Sequence, residues 1–81
     1  MKAFITELLG KTVMTKDGQI LGILDNFMIS TKTGRLETML IEPAENLETM
    51  LFKLDPEGHV ILAFKSMRAV KDVVVVEYES E

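Results

Sequence analysis

Gln19-Ile20-Leu21-Gly22-Ile23-Leu24-Asp25-Asn26-Phe27-Met28-Ile29-Ser30 is the most informative stretch of this 81-residue chain. Strand alternation sends Leu21, Ile23, Phe27 and Ile29 to one side and Ile20, Leu24 and Met28 to the other. Both faces are therefore apolar. A glycine inside so long a strand, Gly22, is a natural place for the bulge or bend that closing a barrel requires. Asp25 and Asn26 interrupt the run, either as a functional polar pair aimed into a cleft or as a pair that pins register. The second reading is preferred, because a bulge or a bond to a neighbouring loop accounts for it.

Working outward, three polar turns that end in glycine punctuate the chain: Lys16-Asp17-Gly18, Thr31-Lys32-Thr33-Gly34 and Asp55-Pro56-Glu57-Gly58. Each lies between β-branched or long apolar residues, the rhythm of hairpins in a small barrel or sandwich. Strands are expected near residues 12–15, 19–30, 35–42, 49–54, 59–64 and 73–78. The fourth is ambiguous, since Leu47, Met50, Leu51 and Leu54 fit a helical spacing while Met50, Phe52 and Leu54 fit a strand. The Pro56-Glu57-Gly58 turn leading into His59-Val60-Ile61-Leu62 favours a hairpin. Two short helical turns are expected, at Thr6-Glu7-Leu8-Leu9 closed by Gly10, and at Lys65 to Lys71 with Met67 and Val70 as its apolar contacts.

Length and composition bound the rest. No linker, repeat or low-complexity segment divides the chain, so one domain over residues 1–81 is expected. A chain of this size buries only about 60–65% of the surface it exposes unfolded, which leaves modest stability unless a partner adds buried area. Nine Lys and Arg against thirteen Asp and Glu give a net charge of −4, the wrong sign for holding a polyphosphate backbone, so no direct nucleic-acid contact is expected. Glu7 interrupts the opening residues too early for a signal peptide, and neither Met39-Leu40-Ile41 nor Val73-Val74-Val75-Val76 is long enough to span a bilayer. The absence of cysteine is what a reducing compartment permits. A cytoplasmic protein without direct membrane contact is the expectation.

Little in the chain assembles chemistry. His59 is the lone histidine and the only candidate base, and it reads as a half-exposed residue at a strand edge. One imidazole makes no transition-metal site unless several carboxylates stand near it. With no cysteine and no glycine-rich phosphate loop, no catalysis, metal or cofactor is expected.

The sharper signal is the run Val73 to Val76. In a closed sheet alternate side chains fill the interior, so two of the four valines must look outward and need a cover. A terminal segment or the helical turns would supply one; a partner surface would supply another, and contiguous apolar patches tend to mark contact sites. The six methionines, at positions 1, 14, 28, 39, 50 and 67, are mostly core filling, but Met28 and Met39 lie on strands that pair across the Thr31 to Gly34 turn. Met28, Met39, Ile41, Val74, Val76 and Tyr78 are the expected interface residues.

Gly10-Lys11-Thr12-Val13, Asp17-Gly18-Gln19-Ile20-Leu21-Gly22, Asp25 with Phe27-Met28-Ile29, Thr33-Gly34-Arg35-Leu36 and Leu40-Ile41 together resemble the PRC-barrel family. The likeness continues through Val60-Ile61-Leu62 and Met67-Arg68-Ala69-Val70-Lys71-Asp72-Val73-Val74-Val75-Val76, and so covers nearly the whole chain. It implies an all-β fold, a small six-stranded PRC-type barrel with one or two short helical turns. Arg68-Ala69-Val70-Lys71-Asp72 and Leu40-Ile41-Glu42-Pro43 resemble the stand-alone archaeal proteins of the cell-division adaptor type. That resemblance implies a homodimer, or a heterodimer with a paralogue, that links the SepF-type membrane anchor of the division ring to other division proteins. The alternative it implies is a ribosome-maturation accessory like the barrel domain of RimM, here without that protein's second domain.

Overall fold

The glycine-ended turns and the β-branched runs between them set where chain direction reverses. In the computed structural model, which describes residues 6–78, six strands result: β1 (Thr12–Thr15), β2 (Ile20–Ile29), β3 (Leu36–Pro43), β4 (Val60–Ala63), β5 (Met67–Val70) and β6 (Val73–Val76). They form one sheet in the order β4-β3-β2-β1-β6-β5. Neighbours are antiparallel except β1 and β6, which run parallel with Thr12 opposite Val73 and Thr15 opposite Val76. The structure is mostly β with short helical turns, as expected. The ladder is not closed, however: β4 and β5 are its two edges, and the 3-10 turn Phe64–Ser66 carries the chain from one to the other.

The long strand does not alternate strictly. Register slips occur where Val13 and Met14 face Gly22 and Ile20, and again between Leu24 and Asn26. Each inserts a residue and resets which side faces inward. Hence Leu21 and Leu24 are both buried while Ile20, Ile23 and Met28 are exposed. Gly22 is required at the first slip. Its φ is +155°, and a Cβ there would overlap the Glu42 carbonyl oxygen and come within 2.8 Å of the carbonyl carbon.

Two expected elements take another form. Of the strand expected over 49–54, only a bridge from Leu54 to Val60 remains, preceded by the 3-10 turn Thr49–Leu51. Met50 and Leu51 are 87% and 70% exposed, and only Phe52 of this segment packs against the core, too little burial to hold the whole run extended against the sheet. The segment expected to be helical over Lys65 to Lys71 contains the 3-10 turn Phe64–Ser66 followed by β5, which pairs with β6 around Lys71 and Asp72. Pairing satisfies its backbone groups along a whole strand, which a single helical turn does not. The first helical turn is present at residues 6–8, with Gly10 N–H donating to the Leu24 carbonyl.

The core is one cluster of Leu8, Val13, Leu21, Leu24, Met39, Ile41, Val60, Leu62, Val74 and Val76. It draws on β1, β2, β3, β4 and β6 and is capped by Leu8 from the first helical turn. The side chains on the opposite side of the same strands form the outer face.

Candidate functional site

Directly paired residues share a face of a sheet, so register assigns the outer surface. Val75 pairs with Met14 and Met14 with Ile20, while Val73 pairs with Thr12 and Thr12 with Ile23. Two rows therefore cross β6, β1 and β2 on the outside. Ile20 and Ile23 are 52% and 43% exposed, and Val73, Val75 and Met14 are half-buried. Nearly every side chain in this patch is apolar.

The expected interface residues divide. Met28 is exposed on the outer side of β2, paired with Thr38. Tyr78 is half-buried; its ring lies 5.5 Å from that of Phe52, and burial raises its hydroxyl pKa. It lines an open groove of about 520 Å³ together with Thr15, Gln19, Leu51 and Phe52, beside the 3.5 Å ion pair of Lys16 and Glu77. Met39, Ile41, Val74 and Val76 must be corrected, because all four lie fully buried in the core and present nothing to a partner. Two valines do look outward, but they are Val73 and Val75. A four-residue apolar run carries no signal of its own parity; the parallel pairing with β1 sets it.

The sequence reading missed the surroundings of His59. The pairing of Ile41 with Val60 brings Glu42 beside His59 on the outer face. The imidazole Nε2 lies 3.1 Å from Asp25 Oδ2 and 3.4 Å from Glu42 Oε1, and Nδ1 lies 3.2 Å from Asp55 Oδ2 and 3.8 Å from Glu57 Oε1. Only 13% of the His59 side chain is exposed, less than expected of a strand edge. Asp55 is held by its own turn: its Oδ1 accepts the backbone N–H groups of Glu57 at 3.0 Å and His59 at 2.8 Å, which leaves Oδ2 to the ring. Gly58, at φ +89°, gives that turn its reversal. Asp25 is the residue inserted at the second slip of β2, so the polar interruption serves both the register and this cluster. The hint in the sequence was the spacing Asp55, Glu57, His59, alternate positions across one tight turn.

Electrostatics follow from this packing. Burial pulls the His59 pKa down, but the charge and hydrogen bond of Asp55, with the charges of Asp25 and Glu42, outweigh it and hold the imidazole above its ordinary value. Burial likewise pushes Asp55 up, yet the two backbone N–H donors and the adjacent imidazole prevail and hold its carboxyl below the usual value. Each of the four carboxylates has His59 as its only ion-pair partner among the described residues.

Among the described residues, no helix is long and apolar enough to cross a membrane. Residues 1–81 match the PRC-barrel domain. An uncharacterized protein of Methanocaldococcus jannaschii is 31% identical over 71 residues, a stretch covering 86% of this chain and 75% of that protein.

Proposed function

Since this chain belongs to the PRC-barrel domain family, we propose that it is a small non-catalytic binding module that pairs with a second copy of itself through the outer face of β6, β1 and β2. The observation that carries the reading is the apolar surface of Val73, Val75, Met14, Ile20 and Ile23 on three adjoining strands. Burying it releases water from apolar area, the main favourable term in association. A standard interface takes about 800 Å² from each partner, roughly one-seventh of the 5908 Å² this chain exposes. Three strands of outer face are a platform of the right kind for that.

We assign the dimer to archaeal cell division, as an adaptor between a SepF-type membrane anchor and the division machinery. The resemblance of Arg68 to Asp72 and of Leu40 to Pro43, together with an archaeal relative, supports that assignment. Sedimentation equilibrium tests the dimer: the chain is expected to run at twice its 9.1 kDa mass at high micromolar concentration. Val75→Glu and Ile20→Glu should return it to a folded monomer. A wild-type chain that stays monomeric at millimolar concentration removes the basis of this reading. Co-purification with the SepF-type anchor tests the cellular role, and recovery with small-subunit ribosome precursors instead would replace it.

A further inference from the structure

We propose that Asp55, Glu57 and His59 form a binding site for a divalent transition-metal cation, with His59 Nδ1 and one oxygen from each carboxylate as ligands. The donor atoms of these three residues all lie within 4.8 Å of one another. Bonds of about 2.0–2.2 Å to nitrogen and oxygen in tetrahedral geometry place neighbouring ligand atoms about 3.4 Å apart. The 3.2 Å from Nδ1 to Asp55 Oδ2 is already near that spacing. The 3.8 Å to Glu57 Oε1 closes with a small rotation of a side chain that is 81% exposed and free to turn.

The imidazole is what separates this arrangement from a mere group of acids. Metal-bound histidines characteristically donate their other ring N–H to a carboxylate, which fixes the tautomer and strengthens the ligand. Asp25 at 3.1 Å and Glu42 at 3.4 Å stand at Nε2 in that position. They come from β2 and β3, across the sheet from the turn that supplies the ligands. Asp55 is aimed in advance, because its other oxygen is held by two backbone N–H groups. Charge points the same way: four carboxylates face one imidazole, and no Lys or Arg among the described residues pairs with any of them. A nitrogen donor with two carboxylates suits Zn²⁺ or Mn²⁺ and leaves the remaining coordination positions to water or to a group from a partner.

The site stands on different residues from the proposed dimer face, and its test is separate. Calorimetric titration of the full chain with Zn²⁺ is expected to show one saturable site per chain, with a rise in melting temperature that EDTA reverses. Mn²⁺ should broaden the NMR signals of residues 55–59, with those of Asp25 and Glu42, before any others. Glu57→Gln, on an exposed side chain, keeps the fold and should weaken Zn²⁺ binding at least about tenfold. Asp25→Asn should weaken it about 10- to 100-fold by loosening the ring. Absence of saturable Zn²⁺ binding, Mn²⁺ broadening spread over the acidic surface, or unchanged affinity in Glu57→Gln would each overturn the site.

Discussion

Gly22 is the residue on which the curvature of β2 depends most directly. Its backbone sits against the Glu42 carbonyl in a conformation that L side chains rarely adopt, so a methyl group there meets backbone, which cannot turn away. Overpacking and φ strain each cost about 1–3 kcal/mol. Gly22→Ala is expected to lower stability by about 2–6 kcal/mol in urea unfolding, where an equivalent change at Gly18, with open space around it, acts only through its turn. His59 and Asp55 make a second residue-level prediction. In buffer with a chelator, the raised histidine pKa gives stability that is complete below its ordinary 6.5 and is lost as pH rises through the folded value. The lowered Asp55 pKa gives stability that is present above its ordinary 3.8 and is lost as pH falls through the folded value. Melting temperature should therefore be highest between these two values, and His59→Gln should flatten the decline above pH 6.5.

β6 shows how one element serves two purposes. Val74 and Val76 fill the core, whereas Val73 and Val75 face outward beside Met14 and Thr12. Val74→Ala removes packed methyl groups and should cost about 1.5–3 kcal/mol, read from the denaturation midpoint. Val75→Ala, at a half-buried outward position, should cost the monomer no more than about 1 kcal/mol while weakening self-association. Equal losses for the two variants in dilute solution would place both side chains inside. The segments that departed from expectation behave consistently with this logic. Met67 and Val70 suit either a helical turn or a strand, and β6 settles the matter by offering β5 a free edge. Residues 49–51 have the apolar content of a strand but gain no burial, and they coil instead.

At the scale of the whole molecule, an open six-stranded sheet with one apolar core leaves part of its outer face uncovered. If a second copy covers it, the melting temperature should rise with protein concentration by mass action, and Val75→Glu should abolish that dependence while leaving a cooperative transition. A concentration-independent melting curve for the wild type would mean the face stays wet. Turns, strand-forming runs and the family likeness were legible in the chain because glycine conformations and β-branched packing are local preferences. The positions of β1, β2, β3, β4 and β6 followed from them. The inward parity of the valines, the conversion of residues 67–70 into a strand, and the gathering of Asp25, Glu42, Asp55 and Glu57 around His59 did not. Each of these depends on which strand lies beside which, and in what register: a one-residue slip exchanges the faces of a strand, and carboxylates thirty positions apart meet only when the sheet assembles. The amino-acid sequence by itself determined a small β-rich chain with more oily surface than one core uses. Tertiary pairing alone decided which side chains form that surface and which form the acidic ring around the histidine.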